Sequence, residues 1–128
     1  MQMSFGTLEL AERLKRDNVL MKIDALIKWE ELRPKLTGLY KRELSHGGGQ
    51  EPFDALLMFK AILLGQWHSL SDAALEQALC VRIDFLQFCG LSLSDAIPDE
   101  TTLCRFRNRL VTGDRLDDLL ASINEQLQ

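Results

Sequence analysis

Residues 53–67 read FDALLMFKAILLGQW, and apolar side chains occupy nearly every position of this segment. A helix that is apolar around its whole circumference is buried, with neighbours on most sides. Lys60 and Gln66 interrupt the run, which is also shorter than the roughly 20 apolar residues of a membrane span. The segment therefore predicts a central helix, around which the rest of the chain packs.

Four further helices are predicted on the C-terminal side of this segment. They cover residues 72–82, 83–89, 99–111 and 115–128. Ser71, Asp99 and Asp114 are suitable N-cap residues for three of these helices, because a side-chain oxygen can accept a hydrogen bond from the first turn. Gly90 suits the left-handed position that ends the short helix.

The N-terminal part also has a helical pattern, with apolar residues at helical spacing over 7–15, 19–28 and 29–42. Pro34 predicts a break near the start of the third segment. No stretch alternates as a strand does, so we expect an all-α, compact multi-helix domain of seven to eight short helices with no sheet. Three consecutive glycines mark the boundary between its regions. The expected divisions are an N-terminal helical region over 1–44, a glycine-rich linker over 45–52 and a helical core over 53–128.

Length and charge limit the classes of function. A chain of 128 residues is enough for one domain. The net charge of −4 argues against a protein that coats nucleic acid through bulk positive charge. However, the charge is uneven, because residues 101–110 carry three basic and no acidic groups. A local contact with nucleic acid therefore stays compatible with the acidic total.

The cysteines and histidines predict no metal centre. Cys80, Cys89 and Cys104 are odd in number and widely spaced, which indicates reduced core thiols in a cytoplasmic protein. His46 and His68 have no partner at ligand spacing, so we expect both to be structural or solvated. The N-terminal residues lack the apolar core of a signal peptide.

The helix predicted over 99–111 has two distinct faces. At roughly 100° per residue, Leu103, Phe106 and Leu110 form one apolar stripe. The opposite face carries Thr101, Thr102, Arg105, Asn108 and Arg109. Arginine can bond to guanine, asparagine to adenine, and threonine to phosphate or the thymine methyl. The first turn can also direct backbone amides at a phosphate. The same face could instead be an ordinary solvated surface, and the composition alone does not separate these interpretations.

Four segments carry a resemblance to a known family. Three of them read PFDALLMFKAILL over 52–64, LSDAALEQAL over 70–79 and PDETTLCRFRNRL over 98–110. The remaining segment lies between the last two and carries Arg82, Phe85, Phe88 and Gly90-Leu91. In this order they resemble the N-terminal domain of bacterial insertion-sequence transposases of the DDE type. The resemblance covers about residues 17–128 and is densest over 52–110.

The resemblance implies a role in DNA transposition. It implies that this domain recognises double-stranded DNA at the terminal inverted repeats, with 99–111 in a helix-turn-helix-like unit. The helix that precedes 99–111 in this unit is either 72–82, in an elaborated variant, or 83–89. The resemblance also implies a separate RNase H-like catalytic domain that binds a divalent metal (Mg). We expect that domain to be absent from this chain, whether excised or truncated, so that the chain is not itself an enzyme and holds no catalytic or metal residues.

A second hypothesis is a protein-interaction module, which dimerises the transposase or docks its catalytic domain. Trp67, Leu70 and the aliphatic face of the last helix are the candidate contacts, because a separated domain exposes whatever its partner covered. The expected partners are therefore DNA through the five polar residues of 99–111, a second copy of the chain, or both. No membrane partner is expected.

Overall fold

The computed structural model describes residues 18–37 and 53–127, and this part of the chain is helical with no strand. The all-α prediction is confirmed, although the described part holds six α-helices rather than seven or eight. The predicted helix over 7–15 and the predicted linker over 45–52 lie outside the described residues. The helices are α1 (Val19–Leu26), α2 (Ala55–Trp67), α3 (Asp72–Val81), α4 (Ile83–Cys89), α5 (Glu100–Thr112) and α6 (Leu116–Leu127).

Helix α2 is the centre of the fold, as its sequence predicts. It packs against α3, α4, α5 and the segment Arg33–Leu36. Its buried residues are Leu56, Met58, Phe59, Ala61, Ile62, Leu63, Leu64 and Gly65. Because buried side chains occur on all sides of the helix, each neighbouring helix finds an apolar surface to pack against.

The predicted caps of α3, α4 and α5 are confirmed. The Ser71 hydroxyl accepts a hydrogen bond from the Ala74 amide at 3.1 Å. The Asp99 carboxylate accepts one from the Thr102 amide at 2.8 Å. Gly90 ends α4 with φ +80°, a left-handed conformation that favours glycine.

The predicted N-cap of the last helix is wrong. Asp114 has φ +55° and its amide donates to the Val111 carbonyl, so it belongs to the turn that closes α5. An N-cap residue needs extended backbone instead. The carbonyl that accepts the first hydrogen bond of α6 is that of Arg115, from the Leu119 amide at 3.0 Å.

The predicted helix over 29–42 is also wrong in its described part. The chain forms two short 3₁₀ turns, Trp29–Glu31 and Arg33–Leu36. Pro34 has no amide hydrogen and cannot join a continuing helical ladder. The Trp29 indole also donates to the Asp24 carboxylate at 2.7 Å, which holds the chain back against α1.

Residues 18–37 pack against the same core as 53–127. Helix α1 contacts α4 and α6, and the buried residues on both sides of the gap form one hydrophobic cluster. Polar contacts add to this packing. The Lys28 amide donates to Gln126 Oε1 at 2.6 Å, and Arg115 donates to the Thr37 carbonyl at 2.7 Å. Residues 18–37 are thus held against the C-terminal end of the domain by both apolar and polar contacts.

The charged residue of α2 is paired inside this arrangement. Lys60, with a side chain 12% exposed, forms an ion pair with Asp24 at 2.8 Å. Its ammonium also lies 4.4 Å from the Trp29 ring centroid and 5.0 Å from that of Phe88. A charge this deep needs such partners, because an unpaired charge in the core is strongly destabilising. The cluster joins α1, α2 and α4.

Candidate nucleic-acid interface

Helix α5 is anchored through its apolar stripe, as predicted. Leu103 and Leu110 are fully buried, and Phe106 is only 1% exposed. The helix packs against α2 and α3. The opposite side of α5 is therefore presented outward on a rigid support.

The five predicted contact residues differ in how accessible they are. Thr101, Arg105 and Asn108 are exposed, whereas Thr102 and Arg109 are half-buried. At 3.6 residues per turn all five lie away from the buried stripe. The structure therefore brings them together along one side of α5, with three of them exposed and two half-buried.

Arg107 lies on the flank of α5 and has a structural role. Its guanidinium forms an ion pair with Asp72 at the start of α3. Hydrogen bonding to Asp72 holds the pKa of Arg107 above its usual range. The pair fixes α5 against α3, and the sequence does not reveal it because the two residues are 35 positions apart. The one feature of the sequence that bears on this ion pair is that Asp72 and Arg107 both lie in segments that resemble the transposases.

The first turn of α5 is occupied by carboxylates. The Glu100 amide donates to Glu76 Oε1 of α3 at 2.6 Å, and the Thr102 amide donates to Asp99. Hydrogen bonds from the Thr102 side chain and backbone hold the pKa of Asp99 below its usual range. The expectation that first-turn amides face a phosphate is therefore wrong for these two amides, because anionic side chains already bind them.

Arg105 is the most available arginine of the described residues. It forms no hydrogen bond, close ion pair or ring contact with the rest of 18–37 and 53–127, and only a longer-range attraction to Asp99 involves its charge. The other described arginines all interact within the fold: Arg33, Arg82, Arg107, Arg109 and Arg115. Arg105 is thus free to bind a partner outside the domain.

The packing of α5 shows which of the two candidate helices, α3 or α4, is its neighbour in a helix-turn-helix. Helix α5 packs on α2 and α3, whereas α4 packs on α1, α2 and α3. The partner of α5 is therefore α3, and residues 82–99, including α4, separate the two helices. The compact motif joins its helices by a turn of about 3–4 residues. The pair in this domain is at most an elaborated form of the motif.

The cysteines and histidine of the described residues show no reactive site. Cys89 is buried, and desolvation raises the pKa of its thiol to about 12. Cys80 is exposed, so its prediction as a core thiol is wrong. It lies near the end of α3, on the exposed side of the helix with Ala73 and Gln77. The His68 ring contacts the Phe85 ring with centroids 5.0 Å apart. Within 18–37 and 53–127, no three His, Cys, Asp or Glu side chains lie close enough to hold a metal.

The predicted protein contacts change in the structure. Leu119 and Ile123 turn the aliphatic face of α6 into the core, and Leu70 is partly buried against it. Trp67 remains 37% exposed. Sequence reasoning missed Val19 and Leu26 of α1, which are 67% and 64% exposed. The spacing of Leu20, Ile23 and Ile27 predicts the buried side of α1, and Leu20 and Ile27 are indeed buried. That spacing places Leu26 beside the buried side, whereas its side chain is exposed. No helix of the described segments is long and apolar enough to cross a membrane.

Comparison with known families identifies the domain. A family model described as "Transposase domain (DUF772)" matches residues 8–109. The chain belongs to this family. The match extends through the polar side of α5 as far as Arg109, and it gives the domain a transposase-related role. No solved structure matches the chain.

Proposed function

We propose that this transposase domain binds double-stranded DNA and recognises the terminal inverted repeats of an insertion sequence through the outward side of α5. The observation that carries the proposal is the exposed, unpaired Arg105 beside exposed Asn108 on a helix whose other side is fully anchored. The family gives the context, because a transposase must act on DNA. The candidate contacts on this side are Thr101, Thr102, Arg105, Asn108 and Arg109.

The spacing of Arg105 and Asn108 suits base recognition. Three residues advance about 4.5 Å along a helix, somewhat more than the roughly 3.4 Å between successive base pairs. The two side chains can therefore reach neighbouring base pairs in a major groove. Arginine can form two hydrogen bonds with guanine O6 and N7, and asparagine can do the same with adenine N6 and N7.

The acidic charge of the whole domain supports recognition of sequence over coating of DNA. The net charge is −4, so the domain as a whole repels the phosphate backbone. Affinity must then come from a small number of placed contacts. Arg107 is already bound to Asp72, so it adds to the support of α5 instead of to the contact surface.

The chemistry of transposition is proposed for a separate RNase H-like domain with a divalent metal (Mg). Within the described residues no three His, Cys, Asp or Glu side chains lie together as a metal site requires, so we propose that residues outside this part of the chain hold the metal. We also propose the divisions 1–44, 45–52 and 53–128, and a cytoplasmic location, where a bacterial transposase meets its DNA. The described parts of the first and last divisions, 18–37 and 53–127, share one hydrophobic core.

Selection of duplexes from a randomised pool, followed by fluorescence polarisation, tests the proposal. The selected sequence should match the terminal inverted repeat of the encoding element. Arg105→Ala should weaken binding to the selected duplex by about 1–3 kcal/mol, or roughly 5- to 150-fold.

Lys22→Ala is the matched control. Lys22 is an exposed cation of α1, on an element that does not pack against α5, and its loss changes the net charge equally. It should alter affinity by less than about twofold. Equal losses in the two variants would show that only bulk charge matters, and the proposal of base recognition would then be abandoned.

Exposed apolar residues on α1 support a second function, dimerisation of the domain. Val19 and Leu26 are seven residues apart and so lie on the same side of the helix. Large exposed apolar side chains often mark protein interfaces. Sedimentation velocity should show concentration-dependent dimers that Leu26→Asp abolishes. A strict monomer at high concentration would remove this second function.

A further inference from the structure

The outward side of α5 has two parts of opposite charge. We call the first the acidic end: Glu76, Asp99 and Glu100. We call the second the basic half: Arg105, Asn108 and Arg109. The acidic end lies at the N-terminal end of α5, which Glu76 reaches from α3, and the basic half follows along α5. DNA laid on α5 therefore meets either or both of them.

The carboxylates of the acidic end are held in place. Glu76 reaches from α3 to accept the Glu100 amide at 2.6 Å, and Asp99 accepts the Thr102 amide at 2.8 Å. The Glu100 carboxylate is exposed and forms no hydrogen bond or ion pair within the described residues. A helix N-terminus normally attracts phosphate through free amides and the helix dipole. Here three negative charges surround that end of α5, and two of its amides are already bound.

The basic half has the opposite properties. Residues 101–110 contain no acidic group, and Arg105 is exposed without a close partner. Glu100 and Arg105 are five positions apart, or about 7.5 Å along the helix. Charges this close still attract each other at physiological salt, as Arg105 attracts Asp99. A duplex on α5 nevertheless meets negative charge at the first turn and positive charge further along the helix.

Building on the proposed DNA-binding function, we infer that the duplex lies across the basic half of α5 and that the acidic end excludes its phosphates from the first turn. In the usual helix-turn-helix, by contrast, the N-terminal residues of the recognition helix contact the bases. Thr101 and Thr102 then fall outside the contact. Glu76, on a different helix, becomes a specificity-determining residue that acts through its charge.

Two alanine variants locate the duplex along the helix. Fluorescence polarisation with the selected duplex should show that Arg105→Ala loses about 5- to 150-fold in affinity. Thr101 is the candidate contact nearest the acidic end, so Thr101→Ala should lose much less affinity than Arg105→Ala if the duplex stays clear of the first turn. Both residues are exposed, so both variants keep the fold.

Two neutralising variants test the exclusion of phosphate. Glu100→Gln removes an exposed charge, and Glu76→Gln keeps an oxygen that can still accept the Glu100 amide. Each should raise affinity for a duplex of random sequence by about two- to fivefold near 50 mM salt, and by less near 200 mM. Circular dichroism would verify that both variants remain helical.

The outcomes separate the inference from the proposed function. If the wild type binds no duplex from the pool, both fall. If the wild type binds a selected duplex but Thr101→Ala loses as much affinity as Arg105→Ala, only the orientation is wrong. The same holds if neutralising the acidic end leaves the affinity for a random duplex unchanged. A loss of affinity in Arg105→Ala, together with a gain in random-duplex affinity in Glu76→Gln and Glu100→Gln, establishes the orientation.

Discussion

Helices α2 and α5 have the same length of 13 residues and opposite relations to the core. Eight residues of α2 are buried, on all sides of the helix, whereas α5 buries three on a single stripe. The difference indicates a division of roles. Helix α2 is enclosed by its neighbours except at its C-terminal end, so substitution of its buried residues would affect the whole fold. Helix α5 is held from behind and leaves its outward side for binding.

The charged residues of the two helices show the same contrast. Lys60 of α2 is almost enclosed and is neutralised by Asp24. Arg105 of α5 is exposed and has no close partner among the described residues. A charge inside a core must be compensated within the protein, while a charge at the surface remains available to a ligand. The contrast can be tested by substitutions that should affect only one helix or only one side of it.

The largest effect is expected for a truncation in α2. Phe59 is fully buried, so Phe59→Ala should lower the free energy of unfolding by about 3–5 kcal/mol through lost burial and a cavity. Urea unfolding followed by circular dichroism measures this change. Gln66→Ala, at an exposed position of the same helix, should change it by less than about 0.5 kcal/mol. Similar values for the two variants would contradict the central position of α2.

The next largest effect divides the two sides of α5. Leu103→Ala should cost about 2–5 kcal/mol in unfolding free energy, because its side chain is fully buried. Arg105→Ala, two residues away and exposed, should stay within about 0.5 kcal/mol. The measurement is again a urea titration at fixed temperature. A large loss of stability at Arg105 would show that it supports the fold, and the separation of the two sides would not hold.

A smaller effect is expected where α5 meets α3. Asp72→Ala and Arg107→Ala should each lower stability, with a coupling of about 1 kcal/mol in a double-mutant cycle, since the Arg107 side chain is 39% exposed. The coupling should fall at high salt. Additive effects of the two substitutions would mean that the ion pair does not position α5.

The smallest effect concerns acid and the cap of α5. The folded state lowers the pKa of Asp99, so its contribution to stability is complete above the ordinary carboxyl pKa of about 4 and is lost as the pH falls through the lower folded value. Asp99→Asn keeps an N-cap without a titratable group. The wild type should therefore lose slightly more stability than Asp99→Asn between neutral pH and acid, as measured by urea midpoints. Equal losses of stability in the wild type and Asp99→Asn would show that the negative charge of the cap does not stabilise the fold.

Much of the fold could be predicted because its signals are local. The apolar run of α2, the caps Ser71 and Asp99, and the stripe of α5 each depend on residues within one or two turns. The errors arose where local patterns were ambiguous. Helical spacing continued past Trp29, but Pro34 and the bond from Trp29 to Asp24 produced 3₁₀ turns. Asp114 is a good cap by type, but its backbone is left-handed.

The sequence by itself determined that this protein is all-α, that α2 is buried and that α5 has one apolar and one polar side, because periodicity and capping act over a few residues. Only the tertiary structure decided which polar groups of α5 remain available. Asp72 binds Arg107 and Glu76 binds the first turn of α5 because α3 crosses α5 at those points. Such contacts join residues more than 20 positions apart, and no local pattern specifies where two helices cross.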